Sequence, residues 1–157
     1  MKPAWKLELA EARLMIEAAI RVSEAEGARE TICVADDGGC VIALARMDGA
    51  RRTGPELAIA KAFTASGHKR STHLLGEPGG PAAAGGEAFG IHAMFPGRFA
   101  IFVGGFPIVV NGEVVGGIGV SGGTGDQDKA AGLAALNALQ EGLGPSYRVL
   151  TELDIRL

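Results

Sequence analysis

Hydrophobic residues recur with helical spacing near both ends of the chain. Between residues 7 and 26 the apolar positions return every three or four residues, and Gly27 follows as a natural helix stop. A second helical pattern begins after Thr124, where Gln127 three positions later completes a capping box, and Gly144 ends it. The pattern therefore predicts one helix at each end of the domain.

Between these helices the pattern changes to short β-rich runs separated by turn residues. The predicted strands are residues 31–36, 40–46, 99–103, 106–110 and 113–121. Asp37-Gly38 and Asn111-Gly112 are strong hairpin signals, and Pro55 opens a further helix. The order α-β-β-α-β-β-β-α, with hairpin links, predicts an α+β domain built on a five-stranded antiparallel sheet.

The last predicted strand runs into a G-x-G-x-x-G pattern at residues 117–122, which also occurs in dinucleotide-binding proteins. Here the first two glycines lie inside an apolar run, and Asp126 and Asp128 follow in the first turn of the helix, where they would repel a pyrophosphate. No second parallel strand is predicted. The glycines instead indicate close approach of another backbone, a small anionic group or a neighbouring subunit.

Chain length, net charge and cysteine spacing exclude several classes of function. The chain has 157 residues, which fits one domain, and its net charge of −3 without a basic stripe argues against nucleic-acid binding. No apolar run is long enough to span a membrane. Acidic residues interrupt the N-terminal apolar pattern, so a secretory segment is not expected and a cytoplasmic protein is predicted. Cys33 and Cys40 lack metal-site spacing and are interpreted as small buried hydrophobic residues.

Three stretches together resemble the GlcG/HbpS family, which includes haem-binding HbpS proteins and the C-terminal domain of PduO-type proteins. They are VADDGGCVIALARMDGA, ELAIAKAFTA and FVGGFPIVVNGEVVGGIGVSGGTGDQD. The resemblance covers residues 7 to about 143. It implies a profilin-like fold, homo-oligomeric assembly as tetramers or octamers, and, for some members, haem binding. Residues 1–144 are thus expected to form a single domain.

Two segments depart from the family pattern. The long Gly/Pro-rich connection at residues 66–97 differs from the usual family loop in its glycines and histidines, and a connection this long is usually functional or mobile. Residues 145–157 extend past the usual family end. Their alternating apolar and polar residues predict a tail that docks on a sheet edge or reaches a neighbouring subunit as an oligomer arm.

The long connection carries every histidine of the chain. His68, His73 and His92 are the candidate haem-iron ligands, because neutral imidazole ligates metals readily. The alternative for each is a loop histidine without a ligand. His68 and His92 are also candidates for a more general ligand-binding site. Haem is the first candidate ligand, and a cytoplasmic small-molecule-binding protein is the leading hypothesis.

Cationic side chains and a glycine turn suggest a small anionic ligand. Arg46 and Lys61 lie within the family-like stretches and could pair with a carboxylate. Backbone N–H groups of Ser121, Gly122 and Gly123, just before a helix N-terminus, could contribute to the same site. The alternative is solvated charge, which is less convincing for Lys61 because apolar residues surround it in sequence.

An enzyme without a cofactor is the other hypothesis. Glu87 and His92 lie five residues apart in the glycine-rich connection, and a partly desolvated Lys61 could act as a base. These three residues would support proton transfer on a small catabolic carboxylic acid, as in an isomerase or a lyase.

Overall fold

The computed structural model describes residue 1 and residues 3–157. Its α-helices are α1 (Leu9–Ala25), α2 (Gly54–His68), α3 (His73–Gly76) and α4 (Gly125–Leu143). Its strands are β1 (Thr31–Asp36), β2 (Val41–Arg46), β3 (Gly105–Val110) and β4 (Glu113–Ser121), and a 3-10 helix spans Ile91–Met94. Within the described part of the chain, no helix is long and apolar enough to cross a membrane.

The strands form one antiparallel sheet in the order β2-β1-β4-β3. The hairpins predicted at Asp37-Gly38 and Asn111-Gly112 are confirmed. At the second turn, Asn111 and Gly112 have φ values of 51° and 82°, the left-handed pair that a two-residue hairpin turn requires. The capping box of Thr124 and Gln127 at the start of α4 is also confirmed.

The sheet carries helices on both faces. Side chains on one face, including Ile32 and Val34 of β1, pack with α1 and α4 in the main core. The intervening residues Cys33 and Ala35 point to the other face, where they pack against α2. This alternation follows from the two-residue period of a strand, and it makes β1 buried on both faces. The prediction that Cys40 is also buried is wrong, because this residue is exposed.

The close approach that the glycine run indicates is made by α2. A Cβ atom added at Gly117 would overlap Ala62 O, and one at Gly119 would overlap Ala58 O. The missing side chains on β4 let the helix backbone lie directly on the sheet. The glycine run therefore shapes the internal packing of the domain.

The prediction of a fifth strand at residues 99–103 is wrong, and so is the element order that included it. The backbone of this segment bonds to side chains: Thr64 Oγ1 accepts from Ala100 N–H at 2.8 Å, and Thr72 Oγ1 donates to Phe102 O at 2.5 Å. Hydroxyl groups thus satisfy backbone groups that a strand partner would otherwise bond, and the chain bends at residues 102–104. Among the described residues the sheet has four strands.

The C-terminal tail covers part of the β3 edge within the same chain. Leu150 N–H donates to Val109 O at 3.0 Å, and Asn111 N–H donates to Arg148 O at 2.8 Å. Further along, the side chain of Ile155 is buried, and its backbone bonds to Ser71. The tail thus protects an exposed sheet edge. A role as an oligomer arm stays a prediction.

Candidate functional site

A buried lysine of α2 reaches the end of β4. The Lys61 side chain is only 2% exposed. Its ammonium donates to Val120 O at 2.6 Å and to Asp128 Oδ2 at 2.8 Å. Burial lowers the pKa of Lys61, and the charge of Asp128 opposes that shift.

Asp128 connects the lysine to the glycine turn after β4. It lies in the first turn of α4, and its Oδ1 accepts from Gly123 N–H at 3.2 Å. The positive end of the helix dipole stabilises a carboxylate at this position. Burial nevertheless raises the pKa of Asp128, while Lys61 opposes the shift. Local sequence explains Asp128 as a residue that complements the helix dipole, but its main partner is Lys61, which is distant in sequence.

A second buried carboxylate completes what we call the Lys61 cluster, formed by Lys61, Asp128, Glu30 and Ser23. Glu30 is fully buried immediately before β1, and its Oε2 is in close contact with the Ser23 hydroxyl. No group of the described residues donates a hydrogen bond to its Oε1. Burial raises the pKa of Glu30 from 4.5 to about 7, an effect that Ser23 partly offsets and the charge of Asp128 reinforces.

The raised pKa of Glu30 gives stability a specific pH dependence. The folded protein keeps the Glu30 proton up to a pH of about 7, whereas the unfolded chain loses it near 4.5. The contribution of Glu30 to stability is therefore lost as pH rises through this window. We expect Glu30→Gln to be nearly neutral at pH 5 and stabilising at pH 8, by up to about 3 kcal/mol for a shift of this size.

Urea unfolding of both proteins at pH 5, 6, 7 and 8 measures this difference. Glu17→Gln, which removes an exposed carboxylate of α1, is the matched control and should follow the wild-type profile. Parallel pH profiles for wild type and Glu30→Gln would show that Glu30 ionises normally in the folded protein.

One aromatic ring separates the Lys61 cluster from a surface cleft. The ring centre of Phe102 lies 5.1 Å from Lys61 Nζ, and the residue is 47% exposed. Phe102 lines a cleft of about 340 Å³ between α2 and residues 97–102, together with Leu57, Ala60 and Phe99. The lysine is therefore close to this cleft but shielded from its contents.

Aromatic side chains continue from this cleft along the outer side of α2. Phe99 stacks with Phe95 at 5.9 Å between ring centres, and Phe95 lies 6.0 Å from Phe63. The Arg98 guanidinium lies 4.1 Å from the Phe63 ring centre. We call Phe63, Phe95, Phe99 and Phe102 the aromatic face. Large exposed apolar surfaces of this kind commonly mark binding sites.

The structure places the three histidines in different surroundings. The His68 ring meets Phe99 edge-on at 5.2 Å, and burial together with the charge of Arg70 lowers its pKa, which favours neutral imidazole. His73 Nε2 lies 2.7 Å from Asp154 Oδ1, so the tail already engages this ring. His92 is exposed on the 3-10 helix. His68 is thus the histidine that contacts the aromatic face.

Ser121, Gly122 and Gly123 follow directly after Val120, whose carbonyl accepts from the Lys61 ammonium. The N–H of Gly123 donates to Asp128, which links this turn to the Lys61 cluster. Arg46 ends β2, and its guanidinium donates to Ala50 O at 2.9 Å. Arg46 and Ser121 both pair with Thr31, from opposite sides of β1, so they lie in one row across the sheet.

Glu87 is exposed in the long connection, as is His92. No hydrogen bond or ion pair within the described residues joins either side chain to Lys61.

Sequence alone did not indicate Glu30, Ser23 or Phe102. The one sequence feature that could have indicated a role for Glu30 is its position immediately before a buried strand.

Comparison with known proteins identifies the family. The family model for haem degrading protein HbpS-like matches residues 7–137, and the chain belongs to this HbpS-like family. A relative from Citrobacter freundii, an uncharacterised 15.0 kDa protein of the dhaT-dhaS intergenic region, is 36% identical over 108 residues. That match covers 69% of this chain and 74% of the relative. The resemblance seen in the sequence is confirmed.

Two solved structures share the fold. The crystal structure of PduOC in complex with haem is 28% identical, with a TM-score of 0.77, covering 85% of this chain and 95% of that chain. A double mutant of HbpS from Streptomyces reticuli is 29% identical, with a TM-score of 0.75, covering 92% of each chain.

Proposed function

We propose that this protein binds haem on the aromatic face, with His68 as the iron ligand. The observation that carries the proposal is the position of His68, whose neutral imidazole lies against Phe99 at the edge of that face. Neutral imidazole is the usual nitrogen ligand of haem iron. The structure of the similar PduOC chain in complex with haem supports haem as the bound group.

The surrounding residues fit the remaining parts of a haem. Exposed rings of Phe95 and Phe102 offer apolar surface to a flat macrocycle, and the exposed Arg98 offers a guanidinium to a propionate. A cleft of about 340 Å³ lies at the small end of ligand sites, so part of the haem would stay outside it. A second copy of the chain could cover that part, in line with the homo-oligomer that we expect.

The role of the chain in this proposal is to hold and orient the group. Haem would supply a redox-active iron, and His68 would be the residue that holds that iron. Binding of a separate small carboxylate at Lys61 and Ser121 has less support than haem binding. The ammonium is already paired with Asp128, so an incoming carboxylate would have to displace that partner.

Titration with haemin tests the proposal. We expect the wild-type protein to give a sharpened Soret band at a defined stoichiometry. His68→Ala should weaken binding at least about tenfold, or ~1.4 kcal/mol, and should change the spectrum of the bound iron. His73→Ala is the matched control, because Asp154 already engages that ring, and its spectrum should be unchanged.

Variants with one histidine replaced by alanine identify which histidine binds the iron. An unchanged spectrum in His68→Ala, with loss of the band in His92→Ala, would place the iron at His92 and overturn the assignment to His68. Retention of the band in the variant that lacks all three histidines would rule out histidine ligation.

Proton transfer on a small carboxylic acid is the second candidate function. The observation that favours it is the lowered pKa of Lys61, one aromatic ring away from a cleft. Buried ionisable groups with shifted pKa values are common in active sites. In this hypothesis the Phe102 ring would move aside to let Lys61 exchange the proton, and Glu87 and His92 would reach the substrate from the long connection. Absence of any defined haem binding would favour this candidate.

A further inference from the structure

A second cleft lies on the other side of the sheet, far from the aromatic face in the layered fold. It has a volume of about 300 Å³ and opens between the N-terminal segment, the end of α4 and the β3–β4 hairpin. Its floor is apolar: Val110 and Val115 are buried core residues, and Leu143 packs against that core. The floor therefore suits the apolar part of a small ligand.

Two aromatic rings form one wall of this cleft. Trp5 and Tyr147 meet edge to face, with 5.4 Å between ring centres and an interplanar angle of 80°. Trp5 is 49% exposed, so its ring is only half covered by protein. Trp5 is the single tryptophan of the chain and Tyr147 its single tyrosine. The faces of such electron-rich rings attract cations, most strongly at tryptophan.

Two carboxylates lie at the start of α1 beside these rings. Glu8 and Glu11 line the cleft, and Glu11 Oε2 accepts from Glu8 N–H at 2.8 Å. Lys6 also lines the cleft, but both carboxylate oxygens of Asp37 bind its ammonium, at 2.7 and 2.6 Å. Among the described residues that line the cleft, the charge without an ion-pair partner is therefore negative.

We propose that this cleft binds an organic cation, specifically an ammonium group carried on a small apolar body. The rings of Trp5 and Tyr147 would contact the cation, Glu8 and Glu11 would neutralise it, and the apolar floor would take the attached carbon atoms. This site is independent of haem binding, because α2 and the aromatic face lie on the opposite face of the sheet.

Tetramethylammonium is a suitable probe, and tert-butanol is its neutral counterpart of similar shape. Because Trp5 is the only tryptophan, protein fluorescence reports directly on the wall of the cleft. We expect a saturable fluorescence change with tetramethylammonium chloride and none with tert-butanol or sodium chloride. Isothermal titration calorimetry on the same samples detects binding that leaves Trp5 fluorescence unchanged.

The variant Glu8→Gln/Glu11→Gln removes both charges and keeps side-chain length and an oxygen that can accept from the Glu8 N–H. It should weaken tetramethylammonium binding about tenfold, or ~1.4 kcal/mol. Glu17→Gln/Glu24→Gln, which removes two exposed charges elsewhere on α1, is the matched control and should bind like wild type. Thermal unfolding verifies that all variants fold.

Three outcomes would overturn the proposal. The first is the absence of saturable binding of tetramethylammonium by both fluorescence and calorimetry. The second is equal binding of tert-butanol, which would make the cleft an apolar site without charge selection. The third is an equal loss of affinity in the cleft variant and in the matched control. That result would show that the net charge of the protein, and not the two carboxylates of the cleft, accounts for the effect.

Discussion

Lys61→Met is expected to lower the free energy of unfolding by about 3–5 kcal/mol, the usual cost of removing one partner from a buried ion pair. Methionine has a similar length and fills the same space, so the loss comes mainly from charge. Without the ammonium, the Asp128 carboxylate remains buried without a cation, beside Glu30, which keeps its proton up to a pH of about 7. Urea unfolding at pH 7 measures the effect, and the loss should be smaller at pH 5, where these groups take up protons more easily.

Lys61→Met/Asp128→Asn is the control for this interpretation. Asparagine keeps an oxygen that can accept from Gly123 N–H but carries no charge. The double variant should therefore be more stable than Lys61→Met alone, since no buried charge of the pair is left without its partner. Equal stability of the two variants would show that lost packing, and not an unpaired charge, accounts for the effect.

Gly119→Ala is expected to cost about 3 kcal/mol, at the upper end of the usual range for overpacking. The added Cβ would overlap Ala58 O and approach Ala62 N to 2.7 Å, and both atoms belong to the backbone of α2. The helix must move away from the sheet to make room, which also disturbs the contact of Lys61 with Val120. Gly119→Val should cost more, because it adds two further carbon atoms.

Gly67→Ala is the matched control. This glycine lies on α2 itself, and a Cβ atom there would meet nothing within 4 Å. Alanine is the better helix former, so the control should be neutral or slightly stabilising, by roughly 0.5–1 kcal/mol. Thermal or urea unfolding of the two variants compares them directly. Wild-type stability of Gly119→Ala would mean that α2 can shift without cost.

Local features of the fold were predictable because neighbouring residues determine them. The turn at Asn111-Gly112 needs two left-handed residues, and asparagine and glycine adopt that conformation with little cost. The capping box of Thr124 and Gln127 likewise depends on residues three positions apart. Strand pairing is not local. Residues 99–103 have a strand-like sequence, but the side chains of Thr64 and Thr72 satisfy part of their backbone.

The candidate site shows the same division between local and distant causes. The β4 glycines already indicated in the sequence that a backbone can come close, and the neighbours of Lys61 in the chain are apolar. The folded chain was needed to show that the approaching backbone is α2 and that the partner of Lys61 is Asp128. Glu30 joins them because folding brings the start of β1 beside the turn at Gly123. Burial then shifts the pKa values of these groups, and burial depends on contacts between residues far apart in the chain.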